Sequence, residues 1–365
     1  MNVEREQVIA FRLRRHQLDE RGTLADAAAT APQNTPPGSA QLALRARAEV
    51  GVAEVEAAIA KRRTLIQTWS LRGSPCLVSS AELPLFTRGL LPDDEESWRA
   101  QMAGFLPMLD QMGRSASATM ERVIEATRDA LDGRTLTKRE LGSALAPRLP
   151  AEFAPWMEPD MFSSFSAILT RAASLTGEFA IAPRVGNEAS LMRVDQWLAG
   201  VPADKDARAG LVRRYLRLYG PSTADDFASW AGVSVHYAAR SWAKVAGEMA
   251  EAGGGFVLAE DLAELKGAER PKGMRLLPPY EPFLQLRDRG TLAPDPGLRP
   301  RIWRKTGNPG VILLDGETAG LWRQQKKGAK LMITVEGDVD RDTVAAEAAP
   351  YAEFRGCTEV QVIQG

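Results

Sequence analysis

The chain has 365 residues, 44% hydrophobic and 25% charged, a balance that builds buried cores and excludes collagen-like or disordered polymers. Its 46 Lys and Arg against 47 Asp and Glu leave a net charge of −1, so any attraction for a polyanion must come from where the bases sit. Two Cys and two His exclude a disulfide framework, a zinc ribbon, a His-rich metal centre and most His-based acid–base chemistry.

In chain order, the pattern predicts a helix over Glu4–Gln17, a second from Thr23 and a third over Ser39–Val50. A hairpin follows, with strands Leu65–Leu71 and Cys76–Ser79 around an Arg72-Gly73 turn. The acidic stretch Leu91–Glu96 reads as a surface connector. The order then repeats: helices over Met120–Leu131, Thr137–Leu145 and Phe162–Leu175, then strands Glu178–Arg184 and Ala189–Val194 around Gly186-Asn187. A third copy places helices over Leu211–Gly220, Thr223–Gly232 and His236–Met249. Thr23/Asp26, Thr137/Glu140 and Thr223/Asp226 share the hydroxyl-to-carboxylate spacing of a capping box, in which each side chain satisfies an unpaired amide of the helix start. Helix, turn, helix, third helix and hairpin, recurring in that order, predict tandem winged helices.

After Pro271 the character changes. Strands are expected over Val311–Leu314, Ala319–Arg323 and Leu331–Val335, separated by Asp315-Gly316 and Lys326–Gly328 turns. A helix over Asp342–Tyr351 and a last strand over Glu359–Ile363 complete the chain, and a small antiparallel barrel or curved sheet is expected. The expected class is therefore α+β: three tandem winged-helix units at 1–92, 97–203 and 204–270, then a β-barrel domain at 271–365. No apolar run is long enough to span a bilayer, and the charged opening Met1–Glu6 lacks the apolar stretch of a signal peptide. A monomer of the cytoplasm, associated with the nucleoid, is expected.

The neutral total hides a basic block. Residues 296–330 hold eight bases against two acids, with Trp303 and Trp322 interleaved, whereas residues 331–365 hold two against seven. Further bases gather at Arg12, Arg14 and Arg15, at Arg45 and Arg47, and at Lys61–Arg63. Phosphate contacts need Lys or Arg on a continuous face; the plainer reading is a set of solvated faces with local salt bridges. Tandem helix-turn-helix units tip the balance to nucleic acid, because their third helix fits a major groove. Duplex RNA, whose major groove admits no helix, is the less favoured partner.

No phosphate-binding loop, dinucleotide fingerprint, nucleophile elbow or metal-binding helix motif is present, and no cofactor is expected. The segment Ala31–Ala40 stands out. From residue chemistry alone it reads as a rigid loop, its prolines fixing the entry to the third helix and its polar side chains capping it.

Several segments carry a resemblance: Phe11–His16, the Gln33–Gly38 loop with Leu42–Arg47, Leu71–Gly73, Tyr219–Pro221, Leu277–Pro282 with Leu286–Arg289, and Gly307–Gly310. Together they resemble the winged-helix DNA-binding-domain proteins typified by the AlkZ/YcaQ DNA glycosylases, over essentially the whole chain. The resemblance implies three winged helices and a C-terminal β-barrel in a C-shape around duplex DNA. It also implies excision of N7-alkylated purines, including those in interstrand crosslinks. Such a base is cationic and leaves neutral, so the remaining tasks are to place a water and to stabilise an oxocarbenium-like transition state. A crosslinked base cannot rotate fully out of the duplex, which suits an open cradle better than a deep pocket.

This chain departs from the family at one point. Where characterised members carry Gln-x-Gln or Gln-x-Asp, it reads Gln33-Asn34-Thr35, with either Thr35 or, after a one-residue slip, Asn34 in the second position. The resemblance places Gln33 on the catalytic water, assisted by Asn34 or Thr35. Arg12, Arg15, Arg45 and Arg47 would hold phosphates near the lesion, and Arg304, Lys326 and Lys327 would clamp the backbone of double-stranded DNA. Arg287, Asp288 and Arg289 read as a buried ion-pair cluster. The competing class is a non-catalytic winged-helix DNA-binding or regulatory protein that kept the architecture and lost the excision site.

Overall fold

A computed structural model describes residues 2–156, 168–184, 188–200 and 204–365. They form two compact units. The first gathers Met1–Glu56, Arg213–Asp226 and Ala246–Gly365; the second gathers Ala57–Val212 and Phe227–Val245.

The second unit is built on a five-stranded antiparallel sheet in the order Pro75–Ser79, Leu65–Trp69, Phe179–Ile181, Ser190–Arg193, Leu136–Thr137. The expected first hairpin is there, Leu65 facing Ser79 and Trp69 facing Pro75. What local pattern did not foresee is that it joins the next hairpin edge to edge, through Gln67 opposite Ile181. Sharing one sheet removes two exposed strand edges. Beneath lies a core of Trp98, Met120, Val123, Leu141, Phe179 and their neighbours, fed by the helix Ala116–Ala130. The Thr137/Glu140 capping box forms as read, opening the helix Lys138–Leu145. Residues 168–174 are helical. The start of the helix expected over Phe162–Leu175, and the Gly186-Asn187 turn, lie outside the described residues.

In the third repeat the helices run Ala207–Tyr219, Ala224–Ala231 and Val235–Ala243. The last stops earlier than expected: by Met249 the chain is already a strand, Met249–Ala252, paired with Gly255–Leu258 across Gly253-Gly254. Both turn glycines have positive φ, at 54° and 78°, the conformation a two-residue hairpin turn requires. Within the first unit, Ser222 bridges to Phe256 and extends this wing.

The C-terminal sheet corrects one expectation. Its five strands lie in the order Glu359–Gln364, Lys330–Glu336, Glu317–Lys327, Gly310–Leu314, Met274–Leu277. The first and last are not neighbours, so the sheet is open and there is no closed barrel. The reason lies in the crossover. Between Glu336 and Glu359 the chain passes through the helix Arg341–Phe354, and a strand entered that way lies parallel to the one it left. The same helix lays Val344, Ala348, Tyr351 and Ala352 over Ile312, Trp322, Leu331, Ile333 and Val335. A helix thus covers the apolar face that barrel closure would otherwise have covered. The Asp315-Gly316 turn forms as read, with both residues at positive φ. Leu42 and the half-buried Ala46, from the helix Ser39–Arg47, insert into this same core.

Candidate functional site

The helix Ser39–Arg47 and the loop before it carry the Gln33-Asn34-Thr35 segment, all within the first unit. The helix begins at Gly38, which takes φ +95° and has open space where a Cβ would stand. Its apolar residues Leu42, Ala43 and Leu44 are buried, which fixes the helix and hence the loop at its N-terminus. The three loop side chains have different fates. Gln33 is half-buried, and its amide nitrogen donates to the Thr35 carbonyl at 3.2 Å, with its Oε1 carrying no hydrogen bond to the described residues. Asn34 is turned inward, 7% exposed, and its Oδ1 accepts from the Gly38 amide at 2.8 Å. Thr35 is exposed. Ser39, which sequence reasoning passed over, is buried, with its hydroxyl 2.7 Å from the Gln33 carbonyl and 2.8 Å from that of Pro36.

The arginines expected to hold phosphates divide sharply. Arg12 is buried: its Nη1 donates to both Asp288 oxygens at 2.9 and 2.8 Å, its Nη2 to Pro221 at 2.9 Å and its Nε to Gly220 at 3.2 Å. Arg47 is wholly buried, in a close ion pair with the equally buried Glu281, and donates to the Ala43 carbonyl at 3.0 Å. A guanidinium without a solvent face cannot meet a DNA phosphate, so these two bases hold the protein together. Asp288 pairs with Arg12 of the N-terminal helix Arg5–Arg15, and Arg287, Asp288 and Arg289 are all half-buried, not the buried cluster expected. Arg289 lies over the Trp303 ring at 4.9 Å.

Arg15 keeps part of its side chain in solvent but bridges Asp261 and Glu264. Arg45 is half-buried, with one nitrogen 3.3 Å from the Ala48 carbonyl. Arg304, Lys326 and Lys327 are exposed on the C-terminal sheet and its approach. Lys326 donates to the Arg355 carbonyl at 2.7 Å.

His16 sits at the centre of the buried group, its Nδ1 3.3 Å from Arg47 Nη2 and its ring edge-on to Tyr219 and Phe283. Burial, with the Arg47 and Arg12 charges beside it, holds the imidazole pKa well below its ordinary value. It is a neutral core residue. Burial likewise raises the Glu281 carboxyl while Arg47 opposes the rise.

A cavity of about 830 Å³ opens beside Arg45, lined also by Arg21, Arg275, Glu49, Glu347 and Tyr351; neither Gln33, Asn34 nor Thr35 reaches it. Of the three loop side chains Thr35 is exposed, Gln33 half-buried and Asn34 buried. That arrangement can present an acceptor oxygen to a water on a large substrate.

Among known proteins, residues 27–354 match the family described as "DNA glycosylase AlkZ-like". The chain is 26% identical over 321 residues to an "Interstrand DNA cross-link repair glycosylase" of Streptomyces sahachiroi, covering 82% of this chain and 81% of that protein. Its fold is similar to the solved structure of the "Streptomyces sahachiroi DNA glycosylase AlkZ", with a TM-score of 0.80, 22% identity and full coverage of both chains. Among the described residues no helix is long and apolar enough to cross a membrane.

Proposed function

The chain belongs to the AlkZ-like DNA glycosylase family, and on that premise we propose that it binds duplex DNA and hydrolyses the N-glycosidic bond of N7-alkylated purines, including those in crosslinks. Units 1–92, 97–203 and 204–270 supply the winged-helix surface. Gln33 Oε1 accepts a hydrogen bond from a water and orients the water's lone pair toward the anomeric carbon. As the C1′–N9 bond breaks, its electron pair neutralises the cationic purine, and the water oxygen bonds to C1′. The proton released in that step passes to solvent, so no general base is required. The amide carbonyl dipole also faces the positive charge developing on the sugar, the kind of fixed electrostatic help that dominates many sites.

The observation that carries this reading is the Gln33 amide itself: its nitrogen is held by the Thr35 carbonyl and its oxygen has no hydrogen-bond partner among the described residues. Arg45, Arg304, Lys326 and Lys327, with Arg15 at the margin, are the bases left for phosphates. The test is incubation with duplex DNA bearing N7-methylguanine, followed by cleavage at abasic sites. Strand breaks with the parent, and their loss in Gln33→Ala with DNA affinity retained, are the expected results. One observation favours a second reading, a DNA-binding protein without excision. The loop offers a single outward amide, since Asn34 is turned inward and Thr35 brings only a hydroxyl. Absence of release by the parent on any alkylated or crosslinked duplex selects it.

A further inference from the structure

We infer that Asn34 and Ser39 are positioning residues, which aim the Gln33 side chain without touching substrate; the inference rests on the excision reading above.

Five hydrogen-bond contacts tie residues 33–39 into one closed loop on the first turn of the helix Ser39–Arg47. Asn34 Oδ1 takes the Gly38 amide, reaching across the two prolines. The Ser39 hydroxyl lies between the Gln33 and Pro36 carbonyls, within 2.7 and 2.8 Å. The Ser39 amide donates to the Pro36 carbonyl at 3.1 Å. The Gln33 amide nitrogen donates to Thr35. Asn34 and Ser39 are each 7% exposed, too enclosed for either to reach a sugar held outside the loop. Through these bonds the Gln33 backbone has a fixed carbonyl direction. The side-chain amide nitrogen has a partner in the Thr35 carbonyl, so the side-chain Oε1 is the end left without a hydrogen-bond partner among the described residues.

The platform beneath is equally constrained. Leu42 and Ala46 are packed in the sheet core, and Arg47 is anchored to Glu281. A water acceptor on such a base keeps its place without substrate. Placement errors of about 1 Å cost on the order of a hundredfold in rate. The Asn34 side chain thus occupies a sequence position expected for chemistry while acting through its neighbour.

The test compares Asn34→Ala, Asn34→Asp and Ser39→Ala with the parent in single-turnover release of N7-methylguanine. Asn34→Ala should lower kcat about 10- to 100-fold, with DNA affinity and KM within about twofold of the parent. Asn34→Asp carries the same acceptor oxygen for the Gly38 amide and should recover most of the lost rate. Ser39→Ala should lower kcat about tenfold in the same KM-neutral manner. Parental kcat in both alanine variants overturns the inference. So does an Asn34→Asp variant as slow as Asn34→Ala, because the Oδ1 contact with the Gly38 amide would then not be what sets the rate. A parent that releases no base defeats the excision reading instead. The positioning claim is then read from amide exchange in selectively 15N-glycine-labelled protein. Gly38 should be protected in the parent and lose protection at least tenfold in Asn34→Ala; an unprotected Gly38 in the parent overturns it.

Discussion

Removing Arg47 tests whether the arginines sunk into the first unit are structural. Arg47 and Glu281 are both fully enclosed, and their ion pair is joined by the Ala43 carbonyl and His16. Arg47→Met replaces the guanidinium with an uncharged chain and leaves Glu281 without a counter-charge in an apolar setting. Breaking one side of a buried pair costs about 3–5 kcal/mol, most of it the desolvation of the orphaned charge. At ~2–4 °C per kcal/mol for a domain of 150–250 residues, Tm should fall by about 6–20 °C. The double variant Arg47→Met/Glu281→Leu removes both charges and should recover most of that loss, since well-packed apolar replacements of buried pairs are often neutral. Thermal unfolding followed by circular dichroism or calorimetry reads both. A single variant within about 1 kcal/mol of the parent would refute the burial argument and return Arg47 to the surface bases available to DNA. A double variant no better than the single would show that shape, rather than charge, sets the cost.

Three further outcomes follow from the same geometry. His16 has a lowered pKa in the fold, so the unfolded chain binds its proton more readily; stability should fall as pH drops below about 6.5, by up to ~1.4 kcal/mol per unit, and the slope should flatten in His16→Gln. An undiminished slope in that variant would assign the effect elsewhere. Lys326→Ala/Lys327→Ala removes two exposed bases, so the slope of log affinity for duplex DNA against log salt should shrink by about 1.8. An unchanged slope would exclude that hairpin from the backbone contact. At Gly310 an added methyl would overlap the Trp322 indole and crowd the Leu277 carbonyl, to which that indole donates at 2.9 Å. Gly310→Ala should therefore cost about 1–3 kcal/mol in chemical denaturation, and a neutral result would mean the strand can shift.

What was legible in the sequence was local. The Thr23/Asp26 and Thr137/Glu140 boxes start their helices because both partners lie within one turn, and Thr223 accepts from the Asp226 amide at 3.2 Å. Asp315-Gly316 makes its hairpin because those two residues tolerate positive φ. What was not legible depended on residues far away. Nothing near Arg12 marks it as buried; its carboxylate partner lies 276 positions on. The open sheet is decided by whether its first and last strands meet, a question that strand patterning leaves unanswered. For the loop, composition singled out a segment, and it could not say which polar side chain turned inward. That was settled by Gly38, whose amide draws Asn34 inward.

The division among the bases bears on what a duplex would meet. Bases on the early helices are largely engaged with Asp288, Glu281, Asp261 and Glu264, while those near the late hairpin stay exposed. A near-neutral chain can therefore attract a polyanion through one patch without a field spread over the whole surface. The proposed chemistry has a matching economy. A loop with no carboxylate has little means of protonating a reluctant leaving group. Under the excision reading, such a site acts only on bases that depart unaided once water is in place. Selectivity for cationic purines then needs no pocket shaped to the lesion: the weakness of the catalytic groups discriminates, and an undamaged base stays attached because nothing in the loop can make it leave.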